Sequence, residues 1–304
     1  MRLAVTRGRS AITGRFAPSP TGDLHFGSLV AALGSALSAR SQGGRWLVRV
    51  EDIDPPREVE GSAERIIADL ARFGLVADEP VLFQSTRATA YDNAIERLLR
   101  EGKAFECGCS RADLPDNGVY PGTCRNGIAR GKTARAIRAR VDATPVTFTD
   151  AVHGVITEQL QHDCGDFVIR RADGLPAYQL AVVVDDAFQG VTEVVRGADL
   201  LDSTARQVHL QSLLGLPHPA YMHLPLVCDA DGRKLSKQDG DDPVKTLEPA
   251  LAIARALQVL GQQARPDLGV EGQIAAATAN WTPGTVPRKV SAQWRARADA
   301  AGAA

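Results

Sequence analysis

The chain has 304 residues and a formal net charge of −1 at pH 7, so any contact with nucleic acid must come from local basic patches. Its hydrophobic content of 44% and charged content of 23% are typical of globular proteins, and its length favours about two domains. The N-terminal sequence MRLAVTRGRS lacks an apolar signal core, and no apolar run is long enough to span a membrane, so we predict a cytoplasmic protein without membrane contact.

The first hundred residues alternate between strand and helix patterns. Hydrophobic periodicity predicts strands at 11–17, 45–50 and 81–84 and helices at 26–37, 62–73 and 86–101. Strands that alternate with helices indicate a parallel sheet with right-handed crossovers. The sequence therefore predicts an α/β fold with a Rossmann-like, doubly wound parallel sheet.

The pattern changes after residue 102, where cysteines, glycines, prolines and a basic run appear, and the strand–helix alternation resumes near "DFVIRR". Beyond residue 242 the chain is rich in alanine and helical in pattern. We predict a first half of the α/β domain, an insertion, a second half of that domain and a small helical C-terminal region, at 1–102, 103–161, 162–242 and 243–304.

The segment "RFAPSPTGDLHFGS" (15–28) joins a predicted strand to a helix N-terminus. Phosphate oxygens bind at such loops because the first backbone N–H groups of the helix are unpaired. His25 offers a donor to phosphate charge that grows in a transition state. For this fragment alone, a helix N-terminus with an incidental histidine is an equal alternative.

Lysine use is the second notable feature. The chain has 29 Arg and only 6 Lys, yet Lys234 and Lys237 lie three residues apart in "GRKLSKQDG". A lysine carries a compact charge on a flexible stem, which suits contact with a phosphate that moves during a reaction. The alternative for this loop alone is a solvated basic turn.

Together, these two segments resemble the paired HIGH and KMSKS signatures of the class I aminoacyl-tRNA synthetases. "RFAPSPTG", "VRVEDID", "AYQLAVVVDD", "VVRGADLL" and "KLSKQ" follow the order of the glutamyl branch over most of residues 12–240. Two positions depart from the signatures: Ser28 replaces the second histidine, and Gln238 replaces the last serine. Both suggest a particular branch of the family.

The resemblance implies an enzyme that activates glutamate with ATP and Mg²⁺. It implies that His25, Lys234 and Lys237 are catalytic, and that His25, Gly27 and Lys237 bind ATP. A glutamate substrate carries an ammonium and two carboxylates, and so requires both cationic donors and an acidic acceptor. The positions that match the glutamate-binding residues of the family are Arg15, Phe16, Ala17, Pro18, Ser19, Glu51, Tyr178 and Arg196. Without the family motifs, surface arginines, a surface carboxylate and a core tyrosine are the alternatives.

Three cysteines lie within "CGCSRADLPDNGVYPGTC". Cys107, Cys109 and Cys124 offer three thiolates for one structural Zn²⁺, which takes four ligands in a tetrahedron. The fourth ligand is not a cysteine or a histidine, and Asp113, Asp116 and Tyr120 are the candidates. The family resemblance implies Tyr120. The alternative is a loop with three reduced cysteines and no metal.

The next segment, "RNGIARGKTARAIRAR" (125–140), contains six basic residues and no acidic one. It is either a solvated face or a surface for the tRNA backbone, since phosphate contacts position a nucleic acid without reading its sequence.

Only 67 residues follow Lys237, too few for the anticodon-binding region of a full glutamyl enzyme. The resemblance therefore narrows to the truncated glutamyl paralogues, which transfer glutamate to the queuosine base of tRNA(Asp), and we expect a monomer. The alternatives are a short synthetase that charges a tRNA 3′ end and a non-catalytic tRNA- or zinc-binding remnant.

Overall fold

The computed structural model describes residues 11–227 and 244–289. The strands in these ranges are β1 Thr13–Phe16, β2 Arg45–Val50, β3 Leu82–Phe83, β4 Ala104–Cys107, β5 Ala136–Ala139, β6 Val146–Asp150, β7 Gly154–Glu158, β8 Val168–Arg170, β9 Glu193–Gly197 and β10 Ala220–Leu224. The helices are α1 Phe26–Ser41, α2 Ser62–Arg72, α3 Ala88–Arg100, α4 Leu160–Asp163, α5 Tyr178–Phe188, α6 Thr204–Leu214, α7 Pro249–Val259 and α8 Gly269–Ala279. No helix in the described ranges has the length and apolar character that a membrane span requires.

Parallel strands form the centre of the molecule. β1, β2 and β3 pair in parallel in that order, and β10 pairs in parallel with both β9 and β6. A hydrogen bond from the backbone N–H of Thr192 to the carbonyl of Thr13, 2.9 Å long, connects the start of β9 to β1. These strands alternate with helices, which confirms the predicted α/β fold with a parallel sheet.

Helix α1 has apolar residues on most of its surface, and strands and helices pack around it. Residues from Leu29 to Ala39 are buried almost without interruption. Helix α1 packs on β1 and β9 on one side and on α7 and α8 on the other. A helix that is buried on all sides has little amphipathic pattern. The packing fixes the N-terminus of α1 at the edge where β1 and β9 end.

A second, antiparallel sheet lies beside the parallel strands, with the order β4-β5-β8. β6 instead pairs with β10, and β7 pairs antiparallel with β6. The predicted boundary at residue 161 therefore does not separate the two sheets. β6, which precedes the boundary, joins the parallel strands, and β8, which follows it, joins the antiparallel sheet. The sheet that a strand joins is decided by pairing between distant parts of the chain, and not by the local sequence pattern of residues 103–161.

Helices α7 and α8 lie at the end of the described chain, in the part for which a helical C-terminal region is predicted. Helix α7 begins with Pro249 at its first position, and the Glu248 side chain accepts hydrogen bonds from the backbone N–H groups of Ala250 and Leu251. A carboxylate is favourable there because it pairs with open N–H groups and with the positive end of the helix dipole. The predicted catalytic residues Lys234 and Lys237 lie outside the described residues.

Candidate active site

A cavity of about 410 Å³ lies where β1, β2 and β9 end, beside the start of α5. We call it the arginine pocket. The carboxyl edge of a parallel sheet is the usual place for a ligand, because loops and helix N-termini converge there. Most of the residues predicted to bind glutamate line it: Arg15, Phe16, Ala17, Ser19, Glu51, Tyr178 and Arg196.

Buried charges hold one wall of this pocket. The carboxylate of Asp186 on α5 accepts hydrogen bonds from Arg15 Nε at 3.3 Å and from Arg49 Nη1 at 2.7 Å. Arg49 also lies 3.4 Å from Glu51 Oε1. All four side chains are at most 8% exposed. Two cations and two anions therefore compensate one another in a region where an unpaired charge is costly.

The two carboxylates of this wall differ in their protonation behaviour. Burial raises the pKa of Glu51, although Arg49 and Arg15 oppose this effect. Burial acts in the same direction on Asp186, but the two arginines outweigh it and hold its pKa below the usual value. Asp186 therefore remains ionised and orients Arg15. Glu51 faces the cavity and loses its proton less readily than an exposed glutamate does.

Arg196 enters the opposite side of the pocket from β9. Its Nε donates to His223 Nε2 at 3.0 Å, and its Nη2 donates to Thr204 Oγ1 at 2.9 Å. Its Nη1 lies 3.5 Å from the hydroxyl of Tyr178, another residue that lines the pocket. The guanidinium is therefore fixed on its protein side and presents its remaining end beside Tyr178.

A second cavity, of about 320 Å³, lies next to the first, and we call it the histidine pocket. Pro18, His25, Gly27 and Ser28 line one side, and the segment 224–227 after β10 lines the other. The two pockets share six lining residues: Phe16, Ala17, Ser19, Ala31, Gly197 and Asp199. A ligand that fills one pocket can therefore reach a ligand in the other.

His25 is the N-cap of α1. Its Nδ1 accepts a hydrogen bond from the backbone N–H of Ser28 at 3.2 Å, which places the ring proton on Nε2, 2.9 Å from Ser28 Oγ. Ser28, which departs from the family signature, is thus a direct partner of this histidine. A Cβ at Gly27 would lie 3.2 Å from the His25 ring, so a larger residue at this position would crowd the imidazole.

The three predicted metal-binding cysteines converge at the end of β4. The sulfur atoms of Cys107, Cys109 and Cys124 all lie within 4.8 Å of one another, and those of Cys109 and Cys124 are 3.6 Å apart. Zn–S bonds of about 2.3 Å in a tetrahedron require sulfur atoms about 3.8 Å apart. The three sulfur atoms therefore fit one zinc ion.

Tyr120 lies on the same cluster. Its hydroxyl oxygen is 3.4 Å from Cys107 Sγ and 4.0 Å from Cys109 Sγ, and it accepts a hydrogen bond from the backbone N–H of Cys124 at 2.9 Å. Asp113 instead pairs with Lys132 at 2.8 Å. Asp116 is exposed. Among the three candidates for a fourth ligand, Tyr120 is the one in contact with the cysteines.

Arg138 supports this cluster from β5. Its Nε donates to Cys107 Sγ at 3.3 Å, and its guanidinium lies 3.8 Å above the centre of the Tyr120 ring. Burial opposes ionisation of the Cys107 thiol, but the hydrogen bonds from Tyr120, the backbone N–H of Cys109 and Arg138 outweigh burial and lower its pKa to about 7. A thiol with a lowered pKa is readily deprotonated, as metal binding requires.

A third cavity, the arginine cleft, lies between the cysteine cluster and the arginine pocket, with a volume of about 1080 Å³. Its arginines are Arg57, Arg111, Arg135, Arg138 and Arg171. Asp54 pairs with Arg57 and Arg171, and Asp173 pairs with Arg171. Arg57 lines both this cleft and the arginine pocket. The cleft is therefore a positively charged path that leads to the pocket.

The predicted basic segment 125–140 is divided between internal and external roles. Arg125 pairs with the buried Asp166, Arg140 lies over the Phe105 ring, and Arg138 contacts the cysteine cluster. Arg130, Lys132 and Arg135 are exposed. Half of its basic side chains therefore stabilise the fold and the others face solvent.

Residues 11–117 and 121–251 match the family described as tRNA synthetases class I (E and Q), catalytic domain. The chain belongs to this family. A protein of Burkholderia cenocepacia named Glutamyl-Q tRNA(Asp) synthetase is 52% identical over 292 residues, which cover 90% of this chain and 97% of that protein. A protein of the same name from Xanthomonas campestris pv. campestris is 53% identical over 94% of this chain and 97% of its own length.

Solved structures of class I tRNA synthetases have the same fold. A glutamate tRNA ligase from Elizabethkingia meningosepticum, crystallised in complex with its amino acid, superposes with a TM-score of 0.80 at 24% identity, over 94% of this chain and 68% of that chain. A glutamate–tRNA synthetase from Elizabethkingia anophelis gives 0.79 at 26% identity, over 94% and 69%. The class I synthetase fold is thus shared with longer chains.

Several residues of this synthetase site were missed by the sequence analysis. Asp186 and Arg49 hold the wall of the arginine pocket, His223 holds Arg196, and Arg57 connects the pocket to the cleft. "AYQLAVVVDD" contains Asp186 and "VRVEDID" contains Arg49. The signal available for these two was a charged residue that follows an apolar run, AVVV before the two aspartates and WLV before Arg49.

Proposed function

We propose that the chain activates L-glutamate with ATP and transfers it to the queuosine base of tRNA(Asp). One observation carries this proposal: a pocket lined by three arginines and two carboxylates adjoins a pocket at a helix N-terminus capped by a histidine. The names of these relatives, whose length the chain covers almost completely, support the same reaction.

The arginine pocket has the charges that glutamate requires. Arg196 binds the side-chain carboxylate, with Tyr178 beside it. Arg15 and Ser19 bind the α-carboxylate, and Glu51 accepts from the ammonium. Phe16, Ala17 and Pro18 form the backbone of the loop between the pockets. The support for these roles is the shared cavity and the opposite charges of the groups.

The histidine pocket receives ATP. Phosphates lie at the N-terminus of α1, near His25 and Gly27, where the positive end of the helix dipole favours negative charge. Leu224, Leu226 and Val227 offer an apolar surface for the adenine ring. Lys234 and Lys237 contribute charge to the same phosphates, and Mg²⁺ held by the nucleotide adds to this neutralisation.

The reaction has two steps. A carboxylate oxygen of glutamate attacks the α-phosphorus of ATP, the bond to the bridging oxygen breaks, and pyrophosphate leaves with glutamyl-adenylate formed. A hydroxyl of the queuosine cyclopentene ring then attacks the activated carbonyl, loses its proton and displaces AMP. His25 donates from Nε2 to the charge that develops on phosphate oxygens in the first step.

Cys107, Cys109, Tyr120 and Cys124 would hold one structural zinc ion in this proposal. Bound there, the ion would link the end of β4 to the loop around Cys124, beside the wall of the arginine cleft that Cys109 lines. The cleft and the exposed basic residues of segment 125–140 hold the tRNA, because arginines pair well with phosphates.

Charging of purified tRNA(Asp) with and without queuosine tests the function. We expect glutamate incorporation only into the tRNA that contains queuosine, and incorporation that survives periodate oxidation of the 3′ end. Charging that depends on an intact 3′ end would favour the short synthetase instead. Absence of glutamate-dependent pyrophosphate exchange would favour a non-catalytic protein.

Metal analysis tests the zinc site. The purified chain should contain about one zinc ion, and Cys109→Ser should lose it with a smaller loss of glutamate activation than of transfer to tRNA. Tyr120→Phe removes only the hydroxyl group and should lower the affinity for zinc. Unchanged zinc affinity in the phenylalanine variant would exclude Tyr120 as the fourth ligand.

A further inference from the structure

Three buried residues from three strands form a hydrogen-bonded chain behind the arginine pocket. Asp150 ends β6, His223 lies on β10, and Arg196 lies on β9. Asp150 Oδ2 is 2.7 Å from His223 Nδ1, and His223 Nε2 is 3.0 Å from Arg196 Nε. Their exposures are 1%, 0% and 5%. The chain therefore connects a deeply buried carboxylate to a side chain of the pocket.

The chemistry of the donors determines where the protons lie. An arginine Nε can only donate, so His223 Nε2 must accept and the ring proton must lie on Nδ1, facing Asp150. Burial lowers the pKa of His223, although the hydrogen bond with Asp150 opposes this. The neutral ring, protonated on Nδ1, thus has one donor and one acceptor, and each meets its complement.

Asp150 is itself held in place. Its Oδ2 also accepts from the backbone N–H of His223 at 3.0 Å, and its Oδ1 accepts from the backbone N–H groups of Val152 and His153 at 2.9 Å each. Burial opposes its ionisation, but these hydrogen bonds outweigh burial and keep its pKa below the usual value. A carboxylate that accepts four hydrogen bonds cannot rotate, so it fixes both the plane and the tautomer of the imidazole.

We infer that Asp150 and His223 are positioning residues that fix the guanidinium of Arg196 for the side-chain carboxylate of the amino-acid substrate. The inference rests on the proposed function, in which Arg196 binds that carboxylate. Thr204 Oγ1 and the carbonyl of Leu200 accept from Nη2 at 2.9 and 3.3 Å. Held at Nε and Nη2, the guanidinium offers its Nη1 end in one plane, which directional binding of a carboxylate requires.

The test compares two substitutions of His223 that are similar in size. His223→Gln places an amide oxygen near the position of Nε2 and can still accept from Arg196, whereas His223→Leu cannot. We expect His223→Leu to raise the KM for glutamate by about 10–100-fold, the range typical for loss of an orienting partner, and to leave the KM for ATP unchanged. His223→Gln should restore most of the affinity for glutamate.

Asp150→Asn tests the other end of the chain. Its amide NH₂ would face backbone N–H donors in either orientation, and when it faces the ring, His223 would carry its proton on Nε2, towards Arg196. We expect a glutamate-specific rise in KM similar to that of His223→Leu. His209→Gln is the matched control, since His209 contacts the carbonyl of Arg140 at 2.7 Å, away from the pocket, and should leave both KM values unchanged.

Glutamate-dependent pyrophosphate exchange is the measurement, with thermal unfolding of each variant. A normal KM for glutamate in His223→Leu, or equal rises for glutamate and ATP, would overturn the inference. If the leucine and asparagine variants do not fold, His223→Gln decides: a residual rise in the KM for glutamate alone, smaller than that expected for the leucine variant, supports positioning, and an unchanged KM for glutamate or an equal rise in both KM values contradicts it. Absence of exchange in the wild type would instead contradict the proposed function.

Discussion

At the scale of single residues, buried charges of opposite sign compensate one another in the wall of the arginine pocket. Asp186 lies between Arg15 and Arg49, and Arg49 in turn contacts Glu51. Removing one member of such a group leaves the others buried without a partner, which costs more free energy than the pairing provided. The same side chains that shape the pocket therefore also stabilise the fold.

Asp186→Asn should lower the free energy of unfolding by about 3 kcal/mol or more, because it removes the buried anion that Arg15 and Arg49 share. It should also raise the KM for glutamate, since Arg15 loses its orienting partner. Urea denaturation and pyrophosphate exchange measure the two effects. Asp267→Asn is the control: Asp267 pairs with Arg265 on the surface, and we expect no measurable change in stability.

The same carboxylate predicts a dependence on pH. The pKa of Asp186 is lower in the folded chain than its usual value, so its contribution to stability is present above about pH 4 and is lost as the pH falls through the folded-state pKa. On acidification the wild type should therefore lose more stability than Asp186→Asn does. Parallel decreases in both proteins would show that Asp186 is not ionised in the folded state.

His25 caps α1, and in the proposed function it also stabilises charge on the phosphates; two substitutions separate these roles. His25→Ala removes both the helix cap, at a cost of about 1 kcal/mol, and the Nε2 donor. His25→Asn keeps a capping side chain without the imidazole. Both variants should lower the rate of pyrophosphate exchange by on the order of 10²-fold, and only the alanine variant should lower the melting temperature. A rate near that of the wild type in His25→Asn would limit His25 to capping.

At the scale of elements, the connection between α4 and β8 supports the cysteine cluster through a close backbone contact. Gly165 has a φ of +64°, and the backbone N–H of Tyr120 donates to the carbonyl of the neighbouring Cys164 at 3.1 Å. A Cβ at Gly165 would lie 2.2 Å from the carbonyl oxygen of Tyr120. The position of the Tyr120 hydroxyl therefore depends on a glycine more than forty residues away in the chain.

Gly165→Ala should displace Tyr120 and weaken zinc binding. We expect a lower zinc content after dialysis against a chelator and a lower melting temperature. Gly190→Ala provides the matched control, because Gly190 has nearly the same φ, +66°, with no atom within 4 Å of its added Cβ. Both variants carry the strain of positive φ, about 1–3 kcal/mol, so an equal zinc content in the two would show that the contact with Tyr120 does not matter.

At the scale of the whole molecule, three cavities form one connected path. The histidine pocket adjoins the arginine pocket, and Arg57 connects the arginine pocket to the arginine cleft. The net charge of the chain is −1, so the cleft is a local concentration of positive charge on a nearly neutral protein. Such a distribution directs a polyanion to one face.

Arg111 and Arg135 in the cleft are exposed and have no carboxylate partner among the residues that the structure describes. The double substitution Arg111→Ala/Arg135→Ala should weaken transfer to tRNA and reduce the salt dependence of tRNA binding by about one unit of slope per lost phosphate contact. Glutamate activation should not change. Arg100→Ala, an exposed arginine on α3 outside the cleft, should leave both activities unchanged, and an unchanged salt slope in the double variant would place the tRNA elsewhere.

Local patterns predicted much of this molecule. The strands and helices of the first hundred residues lie within a few positions of their predicted bounds. The cysteine cluster was predicted from 18 residues of sequence, and the family motifs indicated a class I synthetase. These features depend on residues that are close in the chain, where periodicity, spacing and turn chemistry act directly.

Only the tertiary structure decided the contacts between distant segments. β8 joins the antiparallel sheet and β6 joins the parallel one, although their order in the chain suggests the reverse. Asp150, His223 and Arg196 meet because β10 pairs with both β6 and β9. The family signature indicated Arg196 but not its two partners, since strand order brings together residues that are 73 positions apart. Spacing along the chain determines what a short segment can form, and packing of the sheets determines which segments share a site.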